Sequence, residues 1–164
     1  MLPRHHTEET RTDVLQCTAV TQLPPGETLV ALLGMRDGPD DADDYLADKG
    51  IVLCELGDHT DDIEHAARLW SAESEPPLDL WFRWTMGSGA HRIYHRFATV
   101  PACPAILRTM EDDSRQWCGF FAEHHPLPHS FDVVDPLRDA IAEQARRDAR
   151  RLVSEDGPDE APDK

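Results

Sequence analysis

The stretch that decides the fold is Leu78–Val100, LDLWFRWTMGSGAHRIYHRFATV. It predicts two β-strands joined by a turn at Gly87-Ser88-Gly89, because both halves are rich in aromatic and β-branched residues and glycines separate them. The stretch also holds five of the eleven aromatic residues of the chain. We therefore expect this hairpin to form the centre of a β-sheet.

The hairpin is also the basic part of an acidic chain. From Leu80 to Met110 there is no Asp or Glu, and four arginines give this window a charge of +4. The whole chain carries −16, so the remainder carries −20. Such acidity serves solubility in general, and it can also attract a basic partner or mimic nucleic acid. Because the same charge repels phosphate groups, we expect no direct DNA binding.

The 164-residue length fits one domain with loose ends. We assign residues 1–12 to a flexible N-terminal arm, 13–153 to a single domain and 154–164 to a disordered acidic tail. The first residues lack the apolar segment of a signal peptide, and no apolar run is long enough to cross a bilayer. With four cysteines and no C-x-x-C pair, this predicts a cytoplasmic protein with reduced thiols and no membrane association.

Outside the hairpin the sequence predicts further strands and two main helices. The apolar run Ile51–Leu56 predicts a buried strand. In Asp61–Glu73, apolar residues recur at helical spacing, and Pro136–Val153 follows the helix-start pair Asp135-Pro136. We expect an α+β fold, in which a mostly antiparallel sheet of about five strands carries both helices on one face. The sequence shows no internal repeat.

The register of the hairpin decides whether its arginines can hold a ligand. A two-residue turn at Gly87-Ser88 places Arg83 opposite Arg92, and opposed arginines require an anion or carboxylates from elsewhere in the fold. A turn at Ser88-Gly89 places Arg83 opposite Tyr94 instead, which removes the repulsion. The candidate ligand-binding residues are the aromatic and basic side chains of this hairpin: Trp81, Arg83, Arg92, Tyr94 and Arg96.

His59 and Asp61 lie in the turn after Ile51–Leu56, and the end of a strand is a common position for catalytic groups. A histidine beside a carboxylate can act as a general base, which makes this pair the possible acid/base group of a small enzyme. The alternative is that Asp61 only caps a helix, since carboxylates stabilise helix N-termini.

One set of residues has the chemistry of a zinc site, namely Cys103, Cys118, His124 and His125. Its spacing lacks the close cysteine pair of most zinc sites, so buried thiols and loop histidines are the preferred interpretation. The acidic stretch Asp37–Asp48 does not satisfy the spacing of a calcium-binding loop. We therefore predict no metal and no cofactor, and zinc at the cysteine and histidine set remains an open alternative.

The expected function is that of a small acidic binding or regulatory protein that uses the aromatic and arginine-rich hairpin. Its partner would be another protein or a small anionic ligand. A small enzyme and an acidic mimic of nucleic acid are the alternatives. A pocket that unites His59 with a hairpin arginine would favour the enzyme, and carboxylates along an elongated face would favour the mimic. Side-by-side exposure of Trp81 and Tyr94 would favour the binding protein, and burial of both in the core would exclude it.

Overall fold

The computed structural model describes residues 13–147, except for residues 89, 90, 111, 139, 142 and 145. This part of the chain is mostly β, with nine strands in four small sheets. It divides into two compact units, Met1–Val133 and Val134–Lys164. Among the described residues, no helix is both long and apolar enough to span a bilayer.

The strands are short except at the centre of the first unit. They are β1 (Val14–Leu15), β2 (Val20–Gln22), β3 (Ile51–Leu53), β4 (His65–Ala72), β5 (Leu78–Met86), β6 (Arg92–Pro101), β7 (Ile106–Arg108), β8 (Arg115–Trp117) and β9 (Val133–Val134). Two α-helices, α1 (Pro25–Leu33) and α2 (Ala42–Ala47), lie between β2 and β3 in the chain, and a 3₁₀ turn (Ser130–Asp132) precedes β9. Strands β2 and β3 form one antiparallel pair, and β7 and β8 form another.

The core lies around the three-stranded antiparallel sheet β4–β5–β6, in which β5 is central. Trp81, Phe82 and Trp84 on β5 have no exposed surface. Successive side chains of a strand point to opposite faces, so this strand is covered on both sides. The Trp84 ring lies 5.4 Å from the His65 ring, and the Trp81 ring lies 5.2 Å from the Phe121 ring. Both faces of β5 therefore contribute to the core.

The predicted arrangement of two helices on one five-stranded sheet is wrong, because the strands form four small sheets. The segment Asp61–Glu73, predicted as a helix, contains strand β4. Its neighbouring residues Ala66 and Ala67 are both buried. A strand that is covered on both faces loses the alternation of apolar and polar residues, and its apolar spacing can then imitate a helix.

In the second unit, the described positions between 136 and 147 are helical. The carboxylate of Asp135 accepts hydrogen bonds from the backbone N–H groups of Leu137 and Arg138, each at 3.2 Å. Asp135 thus caps the first turn in the way its sequence position suggests. The predicted arm 1–12, the predicted tail 154–164 and residues 148–153 of the predicted helix lie outside the described residues.

The hairpin register differs from both expected registers. Arg83 lies opposite Arg96, and an irregularity after Thr85 places Met86 opposite Arg92. Neither two-residue turn is present, because β5 ends at Met86 and β6 begins only at Arg92. Two arginines do face each other across the strands, but the pair is not the one that the sequence suggested.

Glu64 neutralises this arginine pair. Its carboxylate accepts hydrogen bonds from Arg96 Nε at 2.9 Å and Nη2 at 2.7 Å, and it lies 2.9 Å from Arg83 Nη2. The hydrogen bonds from Arg96 lower the pKa of the Glu64 carboxyl, and the charge of Arg83 also lowers it. Arg83 in turn lies over the Phe121 ring, 4.7 Å from its centroid. The protein thus supplies its own anion at this position.

We expect Glu64→Gln to lower the free energy of unfolding by about 1–2 kcal/mol, because it removes the carboxylate that both Arg83 and Arg96 contact. The measurement is denaturant unfolding followed by tryptophan fluorescence. The matched control is Glu143→Gln, which removes the more exposed pairs with Arg146 and Arg147 and should cost less than about 0.5 kcal/mol. Equal effects of the two substitutions would contradict the role given to Glu64.

Candidate metal centres

Four cysteine and histidine side chains meet at one end of the β2–β3 pair. Cys17 precedes β2, Cys54 directly follows β3, His59 lies in the next turn, and His65 begins β4. Their donor atoms all lie within 4.8 Å of one another, and we call this set the first centre. Cys17 Sγ lies 3.5 Å from His65 Nδ1, and Cys54 Sγ lies 3.7 Å from His59 Nε2.

A second set of the same composition lies at one end of the β7–β8 pair. Cys103 precedes β7, Cys118 directly follows β8, His124 lies in the next loop, and His129 comes just before the 3₁₀ turn. These donor atoms also lie within 4.8 Å of one another, and we call this set the second centre. Cys103 Sγ lies 3.7 Å from His129 Nδ1, and Cys118 Sγ lies 3.6 Å from His124 Nε2.

These sulfur–nitrogen distances fit a tetrahedral metal site. A zinc ion binds cysteine sulfur at about 2.3 Å and histidine nitrogen at about 2.0–2.1 Å. In tetrahedral directions, a sulfur and a nitrogen at those lengths are about 3.6 Å apart. The two sulfur–nitrogen distances known in each centre are therefore those expected of ligands that share one zinc ion.

The first centre is buried and chemically prepared for a metal. All four cysteines of the chain are buried free thiols, and His65 is buried as well. The hydrogen bond with Cys54 and, to a lesser extent, a hydrogen bond with His65 together lower the pKa of the Cys17 thiol to about 4, against the opposing effect of burial. The same contact raises the pKa of Cys54. One thiolate is thus favoured in the pair, and thiolate is the form that binds metal.

The second centre combines a neutral imidazole with two buried thiols. Burial, together with the charges of the neighbouring His129 and His125, lowers the pKa of His124 to about 4. Its ring is therefore neutral, which is the form that ligates a metal. Burial also raises the pKa of Cys103, so this thiol keeps its proton unless a cation is present to stabilise the thiolate.

The ring orientations also fit metal ligation. His59 Nδ1 lies 3.0 Å from the Thr60 carbonyl oxygen, so this nitrogen can donate its N–H and leave Nε2 for a metal. His65 Nε2 and His124 Nδ1 are buried and have no hydrogen-bond partner among the described residues. In both rings the unpartnered nitrogen is the one that does not face the cysteines. The nitrogen that faces the cysteines in each ring, His65 Nδ1 or His124 Nε2, is the one that would bind a metal.

The donor set indicates both the metal and its role. Two thiolates and two imidazoles in a tetrahedron are typical of zinc, whereas magnesium and calcium prefer oxygen ligands. Four protein ligands fill the tetrahedron and leave no position for a substrate, which is the arrangement of a structural site.

The structure does not bring the predicted hairpin residues into one site. Trp81 has no exposed surface, and Arg83 and Arg96 bind Glu64. Arg92 Nη1 donates to the Thr21 hydroxyl at 3.2 Å and to the Gln22 carbonyl oxygen. Tyr94 is 54% exposed, but it pairs with Thr85, whereas Trp81 pairs with Ala98. A stacking platform of Trp81 beside Tyr94 is therefore absent from the described hairpin.

The structure also separates the predicted acid/base pair. His59 belongs to the first centre, with Nε2 towards Cys54, whereas Asp61 is exposed and belongs to neither centre. Three clefts of the described surface, which lie around Tyr45, Ala42 and Val30, contain neither His59 nor a hairpin arginine.

The zinc alternative named from the sequence contains three members of the second centre and one wrong histidine. His129 takes the place of His125, which is exposed and stacks on His124 with ring centroids 4.7 Å apart. Sequence reasoning missed the first centre entirely. The signal that could have found both is a shared spacing, because a histidine follows Cys54 and Cys118 at the same interval of eleven residues.

The chain matches no protein-family model, and comparisons with curated proteins and with solved structures find no significant similarity. The two centres themselves are therefore the basis for a functional assignment.

Gly57 lies where the turn of the first centre packs closely against the loop of the second centre. A Cβ atom at this position would lie 2.9 Å from Pro128 Cγ and 3.2 Å from both Val14 Cγ1 and Val133 Cγ2. Pro128 lies in the loop between the two histidines of the second centre. Only glycine lets the turn of the first centre approach that loop so closely.

We expect Gly57→Ala to lower the free energy of unfolding by about 1–3 kcal/mol, because the added methyl group overpacks this contact. Thermal and denaturant unfolding measure the effect. Gly26→Ala is the matched control, because nothing lies within 4 Å of a Cβ there, and it should leave stability unchanged or raise it by up to about 1 kcal/mol. Wild-type stability of Gly57→Ala would show that the two segments are not tightly packed.

Proposed function

We propose that the protein is a zinc protein that binds one Zn²⁺ in each centre, and that these ions stabilise its fold. The observation that carries this proposal is the convergence of two cysteines and two histidines at each centre, within 4.8 Å of one another. The residues come from separate strands, turns and loops, so local sequence proximity does not account for their meeting.

The size of the surrounding sheets supports a structural role. The strands of the β2–β3 and β7–β8 pairs are three residues long, and isolated two-stranded pairs are at best marginally stable in water. Each centre joins both strands of its pair to the chain that follows. Zinc bound at these points would stabilise the native state directly, since the free energy of metal binding contributes to folding when the unfolded chain has no formed site.

Protein purified under reducing conditions should contain two zinc ions per chain. A strong chelator should remove them and lower the melting temperature by at least about 10 °C, since a structural site contributes several kcal/mol. Metal analysis, near-ultraviolet circular dichroism and thermal unfolding before and after zinc is restored give the result. Protein that carries less than one metal ion per chain, and whose unfolding the chelator does not change, would refute the proposal.

A pair of neighbouring histidines provides a matched test of the second centre. We expect His124→Ala to reduce the zinc content from two ions to one, because it removes a buried ligand. His125→Ala should retain two ions, because the exposed ring stacks on the centre without belonging to it. Zinc analysis and the melting temperatures of both variants distinguish the two positions. Loss of zinc from His125→Ala, together with retention of both ions in His124→Ala, would show that His125 is the ligand and would contradict the assignment of His124.

We also propose that the zinc-stabilised scaffold binds a protein partner, through the edge of β6 and not through Trp81, which is buried. The supporting observation is strand β6, which in the described part of the chain pairs only with β5. Its Ile93 and Tyr94 are 65% and 54% exposed. An open strand edge with apolar side chains is a common docking element for an extended segment of another protein.

The double substitution Ile93→Ser/Tyr94→Ser should remove specific partners from a pull-down out of the native host. The control is Leu137→Ser, which changes an equally exposed apolar residue of the second unit and should retain them. Zinc content and circular dichroism are measured on the wild type and both variants to verify that each protein is folded. If wild type and both variants capture the same partners, β6 is not the binding surface.

A further inference from the structure

We infer that the two centres are two copies of one metal-binding module, so that both take the same ion through the same pattern of ring nitrogens. The first copy spans residues 15–66 and the second spans residues 101–130. The inference rests on the zinc binding proposed above, and it goes further because it specifies how each histidine ligates.

The cysteines of the two copies occupy the same backbone positions. The N–H of Cys17 donates to the carbonyl oxygen of Leu56 at 2.8 Å, and the N–H of Cys103 donates to that of Phe120 at 2.7 Å. In both copies the acceptor lies two residues after the second cysteine. The first cysteine of each copy is also three residues ahead of its strand, β2 or β7.

The reciprocal hydrogen bond is repeated as well. The N–H of Cys54 donates to the carbonyl oxygen of Ala19 at 2.8 Å, and the N–H of Cys118 donates to that of Ala105 at 2.9 Å. Each acceptor lies two residues after the first cysteine. The two cysteines are therefore diagonal neighbours across each strand pair, with the same offset in both.

The match continues on the other side of the cysteines, where the chain leaves the metal centre. Each copy has one backbone bridge and one hydrogen bond there. In both copies their residues are separated from the cysteines by the same numbers of residues. The bridges are Gln16–Gly57 and Ala102–Phe121, and the hydrogen bonds run from Asp58 N–H to the Leu15 oxygen at 2.7 Å and from Ala122 N–H to the Pro101 oxygen at 3.0 Å.

The second histidine is attached to its strand pair in the same way. The residue after the second cysteine donates its N–H to the residue after this histidine in both copies. Glu55 N–H donates to the Ala66 carbonyl oxygen at 2.8 Å, and Gly119 N–H donates to the Ser130 hydroxyl oxygen at 2.6 Å. The acceptor group differs, but the two positions that are joined do not.

The imidazole rings repeat this correspondence at the level of single atoms. In each copy the first cysteine faces Nδ1 of the second histidine, and the second cysteine faces Nε2 of the first histidine. A buried histidine can ligate through either nitrogen. Agreement of both choices in both copies, together with the shared backbone hydrogen bonds, is expected of one module used twice.

The two copies differ in the lengths of the segments that connect their shared elements. In the first copy, residues 23–50 with both α-helices connect the two strands, whereas a tight turn connects them in the second, with the Thr109 N–H bonded to the Ser114 oxygen at 2.9 Å. The first histidine also follows its cysteine by one residue fewer in the first copy. This long connection is why no repeat is visible in the sequence.

The test is the ligation mode of each histidine in the zinc-loaded full-length protein. Long-range ¹H–¹⁵N spectra of labelled rings distinguish Nδ1-bound from Nε2-bound histidine. We expect His65 and His129 to bind zinc through Nδ1, and His59 and His124 to bind through Nε2. Of the nine histidines, the exposed His125 and His91 belong to neither centre. Their substitution removes two non-ligand signals and should leave the signals of the four proposed ligands in place.

Zinc-loaded protein in which the two centres use different nitrogens would overturn the inference and leave zinc binding intact. Protein that binds no zinc would overturn both. A second measurement uses Co²⁺ in Cys17→Ser/Cys54→Ser and in Cys103→Ser/Cys118→Ser, each of which retains one intact centre. Their visible spectra should coincide in band position and intensity, as expected of two tetrahedral sites with two sulfur and two nitrogen ligands, and clearly different spectra would contradict one shared module.

Discussion

Strand pairs only three residues long cannot remain folded by their own hydrogen bonds, and this constraint governs the first unit. The pairs β2–β3 and β7–β8 are of this kind. Each is held at one end by a group of cysteines and histidines and is connected to the long hydrophobic strand β5. The His65 ring packs on Trp84, and Phe121, three residues beyond Cys118, packs on Trp81. The two candidate metal centres and the aromatic core are thus joined by direct ring contacts.

The sequence predicts the parts of this fold that depend on local pattern. The hairpin strands lie close to where apolar and aromatic residues place them, and Asp135 caps the helix that it was expected to cap. The strand at Ile51 begins where the apolar run begins, but it ends at Leu53 and both of these residues are exposed, so the prediction of a buried strand over Ile51–Leu56 is wrong in length and burial. The sequence does not predict strand β4. Its residues are buried on both faces, and the periodicity that distinguishes a strand from a helix requires one exposed face.

The metal centres are hidden for a different reason. Zinc sites are usually found from two cysteines that are close in the chain, whereas Cys17 and Cys54 become neighbours only when β2 pairs with β3. The sequence contains the candidate ligand residues, but it does not show that β2 pairs with β3 and so brings the two cysteines together. The sequence groups His125 with His124 because the two are adjacent, yet the ring that reaches the centre is that of His129, beside the 3₁₀ turn. Ligand identity here is a property of the folded backbone.

The connection between β2 and β3 also has a consequence for protein engineering. Two helices are accommodated there, at the end of the strand pair opposite to the cysteines, and the ligand geometry of the first centre still equals that of the second. The length of the segment that connects the two strands at this end can thus vary without a change in the arrangement of the candidate ligands. The turn at residues 109–114 is the corresponding place in the other copy, where a foreign peptide or small domain can be displayed while the zinc ligands keep their positions.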